Sequence, residues 1–254
     1  MGADPSTQHR CRRRMPEPED GIVVVFDCES DCGFNECNWK EREHHIGTVM
    51  QPTVICALVM PSSLIMAKAD TEEILKASET KTFWRDQAER GYTPVHGLLA
   101  LFDTADAIVG YNCQGFDFPL LKRFYRPSAD GTPAQQRYIN HRAKCLDIML
   151  RVRDVSGQYC KLDSLLKNNS LPCKTSDGRE AIRMWEEDKK DELKSYCEAD
   201  VELTARLGLK ESLVVPGGYR VSSQVHGIRS AVASNLEAAS TKRHTRENEG
   251  FLFV

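Results

Sequence analysis

Asp27, Glu29, Asp117 and Asp200, with Tyr196 four residues before the last of them, are the side chains in this chain best suited to carry chemistry. Four carboxylates drawn from distant segments can hold two divalent cations. Hard cations take oxygen ligands, and a hydrolytic pair roughly 3.5–4 Å apart clamps the attacking and leaving oxygens of a phosphodiester. Asp27-Cys28-Glu29 follows a β-branched apolar run. Side chains alternate along a strand, so Asp27 and Glu29 face one side and Cys28 the other. Burying both acids unpaired is costly, which implies a cation; a strand that merely reaches solvent at Asp27 is the competing reading. Asp117 stands two residues before Pro119, at a helix start, where capping is a common task for Asp. Tyr196 and Asp200 share a helix face at i, i+4, as an exposed surface pair would too.

The elements that must position these groups follow from apolar periodicity and turn residues. Residues 21–26 read as a buried central strand, 53–59 and 63–67 as the next two strands, and 107–110 as another. Residues 93–102, 118–126, 163–168, 180–187 and 191–208 read as helices, with Pro119 in a first turn. Residues 146–153 are apolar and fit either state. Strands first, then strands alternating with helices, predict an α/β domain: a mixed central sheet flanked by helices. Residues 1–20, with Arg10, Arg12, Arg13 and Arg14, read as a disordered basic and polar lead. The domain is expected over 21–212. Residues 213–254 read as an appendage with one helix over 228–239.

At 41% hydrophobic and 28% charged residues, the 254-residue chain has material for one ordinary core. No apolar run approaches the ~20 residues that span a bilayer, so no membrane partner is expected. The Arg-bearing start lacks an apolar stretch behind it, so a secretory signal is not read. Ten scattered cysteines then fit reduced thiols in an intracellular compartment, cytoplasmic or nuclear, with Cys56 and Cys113 as small buried residues. A net charge of −3 is acidic for a nucleic-acid binder, but bound metals would neutralise the acidic set.

The three segments in order resemble the DEDDy-type 3′–5′ exonucleases of the ribonuclease-H-like superfamily, related to the proofreading domains of family-B DNA polymerases. The resemblance rests on Phe26-Asp27-Cys28-Glu29-Ser30, on Asn112-x-x-x-Phe116-Asp117, and on Tyr196-x-x-x-Asp200. Between the motifs it extends to Cys145-Leu146-Asp147, Lys161-Leu162-Asp163-Ser164-Leu165 and Lys174-Thr175-Ser176-Asp177-Gly178. Cys28 departs from the commoner aliphatic residue and Ser30 from the commoner Thr. The resemblance implies a ribonuclease-H-like fold over about 21–212 and two Mg²⁺ or Mn²⁺ ions. It implies that Asp27 bridges both ions, that Glu29 and Asp200 complete one shell, and that Asp117 supports the other. Tyr196 would orient, and help deprotonate, the attacking water.

For the substrate, the expected contacts are Asn112, Phe116 and Phe118 beside Asp117, and Lys122, with Arg123 and Arg126 as further phosphate candidates; a core role for the rings and a solvated helix face for the basic residues compete. Cys32, Cys37, His44 and His45 lie close enough in sequence to raise a structural zinc, but the spacing is loose and a polar loop is the expectation over 32–51. The functional expectation is a stand-alone 3′–5′ exonuclease on single-stranded nucleic acid, DNA before RNA. An exoribonuclease with the same site is the nearest alternative, and a nucleic-acid-binding scaffold without chemistry is the next. No polymerase segment is read here, so proofreading, repair or another pathway stays open, as does any protein partner.

Overall fold

The computed structural model describes residues 21–33, 41–85, 94–173 and 178–250. The lead over 1–20, Cys37 and residues 174–177 lie outside them.

Strand β1 (Ile22–Ser30) is the hub, because its first residues are β-branched and buried on both faces. It pairs antiparallel with β2 (Pro52–Pro61), which pairs antiparallel with β3 (Glu79–Trp84). On its other side β1 runs parallel to β4 (Ala105–Gly110), and β4 runs parallel to β5 (Cys145–Asp147). The order is β3-β2-β1-β4-β5. A separate ribbon joins β6 (Ser212–Val214) to β7 (Arg220–Ser222). The expected mixed sheet with helices on its faces is the observed architecture.

The pleat sorts β1 into two cores. Val24, Phe26 and Cys28 join Ile55, Ala57 and Ile108 under α4 (Pro94–Thr104) and α5 (Asp117–Leu121). Val23 and Val25 join Cys56, Leu58 and Val109 under α10 (Lys190–Leu209). Asp27 and Glu29 continue this second face, so they point toward α10. The β1–β2 register slips between Cys28 and Ser30, opposite Thr53 and Val54. An irregularity of this kind bends a strand and re-aims its side chains. Helix α10, about 30 Å long, buries Leu193, Tyr196, Cys197, Asp200, Val201 and Thr204 on one stripe. Near its end a Cβ on Gly208 would meet Ile228 Cγ1 at 2.6 Å, so only glycine allows the next segment to lie this close.

That next segment is not detached. Leu213, Val215, Val221, Ile228 and Val232 belong to the α10-side core. Helix α12 runs Ile228–Gly250, beyond the expected 239, and Asn235 Nδ2 donates to the carbonyls of Asp106 and Lys144 at 3.0 and 3.1 Å. The expected boundary at 212 does not coincide with a break in the core.

Three local readings are corrected. Residues 63–67 are not a strand: Ser62–Met66 is a short helix, α2, entered from Pro61 at φ −65° and left through Lys68 at φ +61°. The third strand is instead β3, a polar edge sequence whose Lys81 is suited to an exposed edge. It follows α3 (Thr71–Lys76), capped by Asp70 accepting from Glu73 N–H at 2.9 Å. The expected helix over 118–126 is α5 followed by a 3₁₀ turn, Lys122–Phe124. Part of the expected polar loop over 32–51 is also helical: α1 (Arg42–Thr48) buries Ile46, with Met50 buried just beyond it. Residues 146–153 divide, because Asp147 closes β5 and caps α7 (Ile148–Ser156).

One buried polar cluster on the α4 side sets a pH response. Asp103 accepts Arg137 Nε and Nη2 at 2.9 and 2.6 Å and meets His141 Nε2 at 3.0 Å; His141 Nδ1 meets the Tyr125 hydroxyl at 3.1 Å. Arg137 and His141 lie on α6 (Ala134–Ala143). A neutral imidazole donating from Nε2 and accepting at Nδ1 satisfies both partners. Burial dominates and, with the Lys144 charge and then that of Arg137 opposing Asp103, pushes the His141 pKa down to about 4. Between pH ~6.5 and ~4 the unfolded chain therefore binds more protons than the folded one. Stability is expected to fall as pH drops through that window, by up to about 3 kcal/mol. Denaturant melts of the wild type and His141→Gln check it, the variant showing the flatter profile.

Candidate active site

The C-terminal ends of parallel strands are where open α/β sheets place ligands. Here β1 ends in Asp27 and Glu29, β4 ends at Gly110, and the loop 111–116 leads into α5 at Asp117. A cleft of about 710 Å³ opens at this edge, and Asp27, Glu29, Asp117, Tyr196 and Asp200 all line it. Three segments from distant parts of the chain thus meet at one place.

Asp117 is 2% exposed and its Oδ1 accepts the Cys28 N–H at 3.0 Å. That bond ties it to β1 between the other two acids. It is not spent on capping, since no side chain caps α5. Burial and then the neighbouring Asp27 charge push its carboxyl well above the usual carboxylate range. Two carboxylates held this way repel, and a divalent cation between them removes the repulsion. Asp200 is 4% exposed and Tyr196 7%, on the same face of α10. Burial, then Glu29, Asp200 and Asp27, push the Tyr196 phenol up, so it remains protonated at neutral pH.

Carboxylate oxygens of Asp27 and Glu29 and the Cys197 Sγ lie within 4.8 Å of one another. The thiol is a poor ligand candidate. It is fully buried, its pKa is raised first by burial, and its Sγ approaches the Asp27 carbonyl oxygen at 3.7 Å as a donor. What remains is an all-oxygen acidic set, the chemistry that Mg²⁺ or Mn²⁺ takes.

The loop before Asp117 hangs on Asp147. Its two carboxylate oxygens accept the N–H groups of Asn112 and Gln114 at 3.0 and 2.9 Å, and Oδ1 also accepts Leu150 N–H at 3.2 Å. Asn112 holds a left-handed φ of +60°, which Asn tolerates, and its carbonyl accepts the N–H groups of Gly115 and Phe116 at 3.0 Å each. Asn112 and Phe116 line the cleft.

Two expected contacts do not line the cleft. Phe118 is fully buried, with its ring edge-on to Phe26 at 5.8 Å and to Tyr138 at 6.1 Å, so it packs the core and faces no substrate. Lys122 lies over the Tyr138 ring at 5.7 Å and lines a different hollow with Glu43 and His44. Arg123 donates to the carbonyls of Thr48 and Met50, and Arg126 to those of Arg123 and Tyr125. Of the zinc candidates, His45 Nε2 turns to the Gly33 carbonyl at 3.4 Å.

Other cleft residues escaped the sequence reading. Tyr111 follows β4 directly, and its hydroxyl donates to the Cys160 carbonyl at 2.6 Å. Arg179, Ile182 and Glu186 line the opposite side from α9 (Gly178–Glu186). Their i, i+3, i+7 spacing was the available signal, since it sets the three on one helix face.

No curated protein matches the chain. Among solved structures, the family B DNA polymerase from the hyperthermophilic archaeon Pyrobaculum calidifontis is similar at 17% identity and TM-score 0.44, over 72% of this chain and 23% of that one. Escherichia coli exonuclease I, in complex with a 5cy-dT13 oligonucleotide, is similar at 14% identity and TM-score 0.35, over 70% of this chain and 42% of that one. This chain therefore spans under half the length of either. Among the described residues no helix is long and apolar enough to cross a membrane. A sequence-family model, RNase_H_2, matches residues 67–210, more than half of the chain and including Asp117, Tyr196 and Asp200, and the chain belongs to the RNase H superfamily.

Proposed function

We propose that this protein is a DEDDy-type, metal-dependent 3′–5′ exonuclease that hydrolyses single-stranded nucleic acid, DNA in preference to RNA, with its catalytic unit built on 21–212. One observation carries the reading: Asp27, Glu29, Asp117, Tyr196 and Asp200, from three distant segments, line a single cleft. Asp27, Glu29, Asp117 and Asp200 would hold two Mg²⁺ or Mn²⁺ ions. Bound there, such ions lower the pKa of water and stabilise charge on the leaving oxygen.

The protein's own groups do the rest. Asp27 would serve as a ligand common to the set, because it lies beside Glu29 and its charge is felt by Asp117. The hydrogen bond from Cys28 N–H holds Asp117 in place. A phenol of ordinary pKa ~10 is a weak base at neutral pH, so Tyr196 orients the attacking water rather than taking its proton. Phe116 offers a ring for the terminal base, and Asn112 a polar group beside it.

The test is cleavage of 5′-labelled single-stranded DNA and RNA with Mg²⁺, Mn²⁺ or EDTA. A metal-dependent ladder shortening from the 3′ end supports the reading, and the faster strand identifies the sugar. Binding without cleavage under either metal would remove it. Tyr196→Phe is expected to slow the reaction by about 10²-fold or less with KM little changed, the size of a positioned proton-handling group. An unaltered rate would make Tyr196 a packing residue.

A further inference from the structure

The strongest unassigned feature is an exposed pair of tyrosines with basic residues beside them in sequence. Tyr159 and Tyr219 are 68% and 64% exposed, the two most exposed large hydrophobic side chains among the described residues. They come from different elements, the segment after α7 and the β6–β7 turn. Two glycines at φ +91° and +84°, Gly217 and Gly218, build that turn. An ideal Cβ on Gly217 would lie 3.7 Å from the Tyr219 ring and 3.9 Å from Gln158 Nε2, so Tyr219 stands beside the residue that precedes Tyr159.

One of the rings carries a cation against it. The Arg153 guanidinium lies 5.1 Å from the Tyr159 ring centroid and donates to its hydroxyl at 2.7 Å, which fixes the ring outward. Arg153 also pairs with Asp154 at 2.6 Å. Lys161 and Arg220, each exposed, flank the two tyrosines in sequence. One link to the cleft runs through Cys160, which is 4% exposed. Tyr111 lines the cleft, and its hydroxyl bonds the carbonyl of Cys160, the residue between Tyr159 and Lys161.

We infer that Tyr159 and Tyr219, with Arg153, Lys161 and Arg220, form a stacking platform for the single strand outside the cleft. On it, bases 5′ of the scissile nucleotide lie against the two rings while the cations meet the phosphates. Exposed aromatics interleaved with cations suit unpaired bases, because every base offers a face to stack and every link a negative charge. A core role would not leave two tyrosines this exposed. The inference rests on the nuclease reading for which end of the strand occupies the cleft.

The experiment compares the full chain with Tyr159→Ala/Tyr219→Ala. Two readouts are used: the kcat/KM ratio of a ~20-nucleotide strand to a trinucleotide, and binding of a labelled long strand without metal. The variant is expected to lose about 10–100-fold in long-strand affinity, and the advantage of the long strand over the trinucleotide should shrink by a similar factor. Tyr159→Phe/Tyr219→Phe keeps both rings and should restore binding. Unchanged long-strand binding in the alanine variant overturns the platform even where the wild type cleaves. Where the wild type binds strands but does not cleave, the nuclease reading fails and the binding comparison still decides the platform. No strand binding by the wild type overturns both. A wild-type dimer that the alanine variant dissociates, with strand binding unaltered, would make the surface an interface between copies of the chain.

Discussion

Asp27→Ala is expected to lower metal-dependent cleavage by at least about 10³-fold while leaving the fold intact. The magnitude follows from position. Asp27 faces the cleft from the strand that also carries Glu29, and it is the charge Asp117 feels most. A carboxylate shared by two ions takes with it the activated water and the stabilised leaving oxygen, each worth several kcal/mol. The same residue has the opposite effect on the fold. Asp27 and Asp117 repel in a site where Asp117 is buried, so removing the Asp27 charge relieves strain that exists in the metal-free protein. Asp27→Asn, which preserves shape, should raise metal-free stability by ~1 kcal/mol, or about 2–4 °C in melting temperature. Added Mg²⁺ or Mn²⁺ should then stabilise the wild type more than the variant. Thermal melts with and without metal, beside the cleavage assay, separate this from simple unfolding. A variant that is inactive because it is unstable, or one that cleaves at the wild-type rate, would remove the two-metal reading.

How much of this was legible in the chain depended on the range of the interactions. The run 21–26 announced its state because buried β-branched residues leave few options. Strand alternation alone then put Asp27 and Glu29 on one side. The α10 stripe was legible for the same reason, since apolar residues recur at helical spacing over five turns. The edge strand β3 was not. Its sequence, Glu-Thr-Lys-Thr-Phe-Trp, has no apolar period, and it is a strand only because β2 offers it partners. Ser62–Met66 misled in the other direction, because a short apolar run after proline fits a strand or a helical turn equally well. At the site, residue types indicated which groups could do chemistry but not which rings turn outward. Phe116 and Phe118 are two apart in sequence, yet one lines the cleft and the other fills the core. The loop conformation held by Asn112 and Asp147 decides between them, and that conformation depends on contacts 33 and 35 residues away.

Asp147→Ala is therefore expected to be the most damaging single change outside the acidic set. Asp147 is 3% exposed, and its carboxylate accepts three backbone N–H groups, from Asn112, Gln114 and Leu150. Burial pushes its pKa up, while those three donors pull it down and hold the charge inside. Alanine leaves the three part-buried donors without that acceptor. Each buried unsatisfied group costs roughly 1–3 kcal/mol, so a loss of about 4 kcal/mol is expected, large against the usual effect of a substitution. Asp147→Asn separates the geometric from the energetic part. Its single carbonyl oxygen can still accept Asn112 and Leu150, but its amide group then opposes the Gln114 N–H. A loss of ~2 kcal/mol should result, with cleavage reduced because the loop carrying Phe116 and Asp117 is no longer held at its near end. Urea melts and single-turnover rates on the two variants measure both effects. Equal stability of Asp147→Asn and the wild type would show that the loop is held by Asn112 and the β4 terminus alone, and that Asp147 acts only as the cap of α7.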